Sequence, residues 1–325
     1  MGEQLARAAE ILNAAEEVAL ACHINPDPDA LGSMLGLSEF LRSRGKKTVC
    51  SYGNEPFERP RWLAELPGNE AVVPPSEFPK APDVFVTCDT ASRDRLGALI
   101  GRASKAKEVI WIDHHRSNEG IGTVPLIDPE ASSTAEMVVR LIDEMGGDMP
   151  DSSAKNLYAG LVTDTGRFQY EAVTPEAIRL GARLREHDFD HAKLAQVLYE
   201  DNAVDYLKLL GGVLQRLNFV PEVGLVWTSL TQAELAEAGV HPSETDDLID
   251  VVRTVREADV AAVIKQQGDG RFKVSMRSRG AHDLSAIAAT HGGGGHRLAA
   301  GFTSKVGLEE TVAELIAALE EPTGQ

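Results

Sequence analysis

Cysteine is nearly absent from this 325-residue chain, and three residues, an odd number, do not make a disulfide framework. Aromatic residues are also scarce, at 5%, too few for a stacking platform along a long single strand. Positive charge is the third scarcity. Against 50 Asp+Glu there are 32 Lys+Arg, a formal net charge of -18, which opposes long-range capture of DNA or anionic lipid and excludes a duplex binder with a basic groove. No stretch approaches the roughly 20 uninterrupted apolar residues that span a bilayer; the longest runs, such as 18–22 and 84–86, are strand-sized. The opening Met1-Gly2-Glu3-Gln4-Leu5 has no basic segment followed by an apolar one, and Ala6 stands where a myristoylation signal wants Ser or Thr. A cytoplasmic protein without membrane contact is expected. The surplus of carboxylates has two meanings, a solvated acidic surface or a concentration of ligands for hard cations.

What is present is an ordinary globular composition, 43% hydrophobic and 25% charged, over a length that suggests two domains. The first half repeats a strand, loop and helix pattern. Strands are expected at 18–22, 47–51, 84–88, 108–112 and 123–127, and helices at 30–44, 132–145, 152–162 and 175–186. This alternation predicts an α/β fold whose N-terminal domain, 1–187, is a doubly wound, mostly parallel sheet. A polar helical connector is expected over 188–217. A smaller α/β domain follows over 218–325, with strands at 225–230, 260–267 and 271–277, helices at 232–237, 245–255, 284–289 and 309–319, and a hairpin at Gly268-Asp269-Gly270.

Four segments end a strand or bound a helix with metal-capable side chains. The first is His23-Ile24-Asn25-Pro26-Asp27-Pro28-Asp29, where two prolines bend the chain and can turn Asp27 and Asp29 toward ions lying side by side, with Gly32 allowing close approach. Asp29 taken alone serves equally well as a helix cap. The second is the strand 84–88 followed by Asp89, and the third is the strand 108–112 followed by Asp113-His114-His115-Arg116-Ser117-Asn118. The fourth is an apolar helix stopped by Thr163-Asp164-Thr165-Gly166. In open parallel sheets, the C-terminal strand edge is where ligands bind. Cys22 and Cys88 precede candidate ligands but read as small core residues, and Trp62, Trp111 and Trp227 as core or rim.

Together these segments resemble the DHH phosphoesterase superfamily, whose naming tripeptide matches Asp113-His114-His115. Gly292-Gly293-Gly294-Gly295-His296, followed by Ala299-Ala300-Gly301, is similar to the glycine-rich signature of its accessory DHHA1 domain. At this length, the chain resembles the bifunctional nanoRNase and pAp phosphatase group. The resemblance implies two divalent cations: His23 and Asp27 on one, Asp29, His114 and Asp164 on the other, Asp89 bridging. Carboxylates and imidazoles without thiolate favour Mn²⁺, with Mg²⁺ as the second choice. His115 is then the group at the substrate phosphate and Asp113 the carboxylate that orients a histidine. Arg116 and Asn118 either touch the phosphate or hold their loop.

In the second domain, Lys265, Arg271, Lys273, Arg277 and Arg279 face a single acid, Asp269, between 265 and 280. Strand alternation puts Arg271, Lys273, Ser275, Arg277 and Arg279 on one face, either a row of phosphate contacts or a solvated sheet face. Gly293, Gly294 and Gly295 allow backbone N–H groups to approach an anion, with His296 as a donor, although a glycine run is also a flexible loop. The expectation is a two-metal phosphohydrolase with its site in the cleft between domains. It would hydrolyse very short RNA or DNA oligonucleotides to mononucleotides and release the 3′-phosphate of pAp. Relatives suggest a homodimer. The alternatives are a cyclic-dinucleotide or pApA phosphodiesterase, a RecJ-like single-strand exonuclease, and a non-catalytic nucleotide-binding module.

Overall fold

The computed structural model describes residues 2–118 and 120–320, and the chain divides into two compact units, 1–201 and 202–325. The first unit runs α1 (Gly2–Ala14), β1 (Glu17–Cys22), α2 (Pro28–Ser43), β2 (Lys47–Tyr52), β3 (Val84–Cys88), α3 (Ile100–Ala103), β4 (Glu108–Asp113) and β5 (Val124–Ile127). It ends with α4 (Thr134–Met145), α5 (Asp151–Asp164), α6 (Pro175–Leu184) and α7 (His191–Tyr199). Its strands pair in parallel in the order β2-β1-β3-β4-β5, the doubly wound arrangement expected. Both faces are covered, so successive side chains enter two different cores. Val18, Leu20 and Cys22 pack with Leu12, Leu35, Leu141 and Leu157, whereas Ala19 and Ala21 pack with Phe85, Leu96, Leu99 and Trp111. The strand order reverses between β1 and β3, which places a ligand-binding crevice beyond their C-terminal ends.

Two details lie outside the sequence expectation. Helix α1 was not anticipated, although Leu5, Ala8, Ala9 and Leu12 recur at helical spacing and Ala8, Ala9 and Leu12 are buried. Strand β5 forms the outer edge of the sheet and carries Pro125, which has no N–H to offer a further strand.

The second unit runs α8 (Val204–Gln215), β6 (Asn218–Val220), β7 (Leu225–Leu230), α9 (Gln232–Ala238), α10 (Leu248–Val252), β8 (Val260–Gln266), β9 (Phe272–Ser278), α11 (Leu284–Thr290), β10 (Gly294–His296), β11 (Ala299–Ser304) and α12 (Leu308–Glu320). Its sheet has the order β10-β11-β9-β8-β7-β6, antiparallel except for β7 beside β8. Leu284, Ile287, Leu315 and Leu319 cover one face; Tyr206, Val213, Leu235 and Ile249 cover the other. The expected hairpin is present, closed by Gly270 N–H to the Gln267 carbonyl (3.0 Å) with Gly270 at φ 86°.

The connector expected over 188–217 is not one element. Helix α7 belongs to the first unit and α8 to the second, with the division at 201/202. The helix expected at 245–255 is shorter: a 3-10 turn, Pro242–Thr245, precedes α10. The glycine run is also not a free loop. The Gly292 N–H bonds the Ala289 carbonyl (3.0 Å) and the Gly293 N–H bonds that of Ala288 (2.8 Å), a Schellman cap on α11, with Gly292 left-handed at φ 74°. Gly294 and Gly295 then enter β10, where a Cβ on Gly295 would lie 2.5 Å from the Ala299 carbonyl oxygen. Among the described residues, no helix is long and apolar enough to cross a membrane.

Candidate active site

The loop after β1 is shaped by its prolines. Asp27 is the N-cap of α2, accepting the Ala30 N–H (2.9 Å), with Pro28 in the first turn where its missing N–H costs nothing. Asn25 is left-handed at φ 52°, held by Asn54, whose Oδ1 accepts the Asn25 N–H (2.8 Å). His23 is buried, its Nε2 3.6 Å from Asp27 Oδ2 and 3.4 Å from Asp89 Oδ2. Its Nδ1 lies 2.8 Å from the Ile24 carbonyl oxygen and 2.9 Å from Arg95 Nη2, so the proton on that nitrogen decides which of the two it bonds.

Strand β3 delivers Asp89, also left-handed, at φ 55°. Its two oxygens face different ways. Oδ2 is turned to His23; Oδ1 lies 3.7 Å from His114 Nε2 and accepts the Thr134 hydroxyl (2.8 Å). Strand β4 ends at the fully buried Asp113, followed by His114 and His115. His114 sets Nδ1 3.2 Å from the Ala131 carbonyl oxygen, an arrangement that leaves Nε2 3.3 Å from Asp164 Oδ2. His115 Nδ1 lies 2.7 Å from Asp113 Oδ1, so the histidine that Asp113 orients is His115. Asn118 Nδ2 donates to Asp113 Oδ2 (2.7 Å) and to the Thr90 carbonyl (3.1 Å), which holds the loop, and exposed Arg116 pairs with Glu130 (2.9 Å).

The capping role open for Asp29 is present, but on a different helix from its own. Asp29 Oδ2 accepts the Thr134 N–H (2.8 Å) and Oδ1 accepts the Ala135 N–H (3.0 Å), both from the first turn of α4. Asp164, the last residue of α5, is brought to the same edge by a close crossing of α5 with α2. A Cβ on Gly32 would lie 2.4 Å from the Asn156 carbonyl oxygen, and one on Gly160 would lie 2.6 Å from Asp29 Oδ1.

Burial and crowding set the charges. Burial opposes protonation of His23, yet hydrogen bonds to Asp27 and Asp89 outweigh it and push the pKa up to about 9. His115 is likewise opposed by burial but carried up to about 10, chiefly by its bond to Asp113. Burial works against the charge of Asp89 too, but His23, His115 and His114 hold its carboxyl well below the usual range. Asp29 is pushed up by burial and then by Asp89 and Asp164. In the absence of cations, imidazolium protons offset the carboxylates.

Among the donor groups at this edge are two that lie side by side, His23 with Asp27 and Asp89, and Asp29 with Asp89 and His114, each with ligating atoms within 4.8 Å of one another. Asp89 belongs to both. Oxygen and imidazole donors without thiolate fit a pair of hard or borderline divalent cations. Cys22 and Cys88 are buried in the sheet, and burial raises both thiols far above their ordinary pKa. Thus His23, Asp27, Asp29, Asp89, Asp113, His114, His115 and Asp164 converge on one sheet edge. Thr134 and Arg95, which touch them, are not evident in the sequence. The one signal for Thr134 is the capping pattern Ser133-Thr134-Ala135-Glu136, which marks a helix start without saying what the turn faces.

The second unit revises the basic row. Lys265 is buried and bonded to Asp246, with Lys273 3.6 Å from the same carboxylate. Arg277 Nε lies 3.9 Å from Asp250, and Arg271 Nε donates to Asp269 (2.7 Å). Arg279 donates to the Arg253, Thr254 and Arg256 carbonyls after α10. Within β9, Lys273, Ser275 and Arg277 share the less buried side, which is the face that α10 packs on, and each cation there has an acid beside it. His296 closes β10 opposite Ala299.

Comparison with known proteins gives this architecture a family. The DHH family N-terminal domain model matches residues 17–163 and the DHHA1 domain model matches residues 226–323. The chain is 34% identical to the bifunctional oligoribonuclease and PAP phosphatase of Thermus thermophilus, over 98% of this chain and 94% of that one. It is 31% identical to a probable bifunctional oligoribonuclease and PAP phosphatase of Streptococcus mutans, over 90% and 91%. An exopolyphosphatase-related protein from Bacteroides fragilis matches the structure with a TM-score of 0.87 at 26% identity, covering 98% of this chain and 96% of that one. The chain belongs to the DHH/DHHA1 phosphoesterase superfamily, in the group of the bifunctional oligoribonuclease and PAP phosphatases.

Proposed function

We propose that this protein is a metal-dependent phosphohydrolase that cleaves very short oligoribonucleotides to mononucleotides and releases the 3′-phosphate of pAp. The observation that carries this reading is Asp89, whose two oxygens face two separate donor sets at the switch point of the sheet. Similarity to curated proteins of that activity over nearly the whole chain supports it. His23, Asp27 and Asp89 would hold one ion, and Asp29, Asp89, His114 and Asp164 the other, Mn²⁺ ahead of Mg²⁺. When bound, such a pair supplies positive charge against the carboxylates, polarises a phosphoryl oxygen and lowers the pKa of water.

The remaining steps belong to the protein's own residues. His115, fixed through Nδ1 by Asp113, carries its proton toward the oxygen that leaves phosphorus. Asn118 keeps Asp113 in place from its other oxygen. On the second unit, Arg277, Gly294 and His296 are the proposed anchors for the far end of the substrate, since the Gly293 N–H caps α11 and the Arg279 fork holds the turn after α10. The protein functions in the cytoplasm, as a homodimer.

The test is turnover of labelled di- to decaribonucleotides and of pAp in parallel, each with Mn²⁺ and with Mg²⁺. Mononucleotides from dinucleotide and phosphate from pAp are expected, and both activities should vanish in Asp89→Ala. Absence of both products, or full activity of Asp89→Ala, overturns the reading; preference for the longest strand, or for a cyclic dinucleotide assayed alongside, replaces the substrate class.

A further inference from the structure

Helix α4 begins at Thr134, and its capping is done by neighbours. Ser133 Oγ accepts the Glu136 N–H (3.1 Å), and Glu136 Oε2 accepts the N–H and hydroxyl of Ser132 (2.9 and 2.6 Å). The Thr134 hydroxyl is therefore not needed to start the helix. It donates instead to Asp89 Oδ1 (2.8 Å), while the backbone N–H of the same residue donates to Asp29 Oδ2 (2.8 Å). Thr134, Asp29 and Asp89 are 0%, 1% and 3% exposed, so water does not replace either bond readily. Two buried carboxylates in one site repel each other, and their spacing has to be imposed by the protein.

We propose that Thr134 is a positioning residue: through its hydroxyl and its N–H it fixes the angle of Asp89 and its separation from Asp29, so that Asp89 keeps one oxygen toward His23 and the other toward His114. This rests on the paired-ion reading of the site given above. Groups that hydrogen-bond a metal ligand from behind are worth about 10- to 100-fold in metal affinity or activity. The Thr134 bond should act on the second ion most, because the oxygen it holds, Oδ1, is the one turned to His114.

The experiment uses the full chain stripped of metal by chelation and titrated with Mn²⁺, read by electron paramagnetic resonance. Free Mn²⁺ gives the affinity of each ion, and exchange coupling between two bound ions gives a separate spectral signature. Wild type and Thr134→Ser, which keeps the donor, should bind two coupled ions. Thr134→Val, close in shape and without the donor, should weaken the second ion by about 10- to 100-fold and lose the coupled spectrum. Thr134→Ala, measured beside it, should do the same, so the result does not depend on one variant folding. Ser133→Ala, which removes the cap, should lower the metal-free unfolding temperature and keep the coupled pair. Wild-type second-ion affinity in both Val and Ala variants overturns the positioning role and leaves the paired-ion reading standing, as does a Ser variant as defective as Val. A wild-type chain that binds fewer than two ions overturns both.

Discussion

Asp89 illustrates what a single residue is made to do in this site. Its backbone is left-handed, a conformation that costs a non-glycine residue about 1–2 kcal/mol, and Asn25, Arg167 and Phe168 share it near the other candidate ligands. Four such residues on loops after β1, β3 and α5 mark where the chain accepts strain to aim side chains. The cysteines show the opposite case. Cys22, Cys50 and Cys88 are fully buried and unpaired, and burial carries Cys50 up to about 12. A raised thiol pKa means little thiolate at pH 8, and burial blocks access, so both effects slow labelling. Native protein should leave Ellman's reagent uncoloured at pH 8 and release three equivalents once unfolded in guanidinium; rapid native labelling of even one thiol would contradict this packing. The candidate ligands were legible because each ends an apolar strand or helix with titratable groups. Thr134 was not, because its hydrogen bond to Asp89 spans 45 residues and depends on how α4 meets β3.

At the scale of elements, the crossing of α2 and α5 decides whether Asp29 and Asp164 reach the same edge. Gly32 and Gly160 let the helices touch backbone to backbone. Gly32→Ala and Gly160→Ala would each force a shift costing about 1–3 kcal/mol, seen as a fall of roughly 2–4 °C in unfolding temperature per kcal/mol. Gly160→Ala should lower activity further than its stability loss explains, since its methyl would meet Asp29 Oδ1; equal effects of the two variants on activity would refute that. The strands of the first unit were legible to within a residue or two, because buried parallel strands are continuous apolar runs bounded by polar loops. The second unit was less so. Its basic row reads as unopposed along the sequence because the compensating acids come from another segment, Asp246 just after the 3-10 turn and Asp250 on α10, and meet β8 and β9 only in the fold. The glycine run hid a helix cap and a strand for a related reason, since both are defined by partners, at Ala288 and Ala299, that the run itself does not contain.

For the whole molecule, the net charge of -18 is unevenly distributed. Asp27, Asp29, Asp89 and Asp164 crowd one sheet edge, where divalent cations would offset them. The basic side chains of β9 are locally matched by acids, so this strand does not offer the unopposed positive row that would hold a long nucleic-acid strand. Turnover per molecule should accordingly fall with substrate length, a trend the parallel assay of di- to decanucleotides measures. The ends of the two sheets bear on how molecules meet one another. The first sheet ends on one side with β5 and its Pro125 and on the other with β2, where the Val73 N–H already occupies the Cys50 carbonyl (2.9 Å); the second ends with three-residue strands, β6 and β10. Short edges and a missing N–H deny a second chain the row of donors and acceptors on which strands add. Pro125→Val would supply that donor, and light scattering at high protein concentration is expected to rise with it while the unfolding temperature stays where it was. Resistance to edge-to-edge aggregation is thus built into the same parallel sheet that presents the carboxylates.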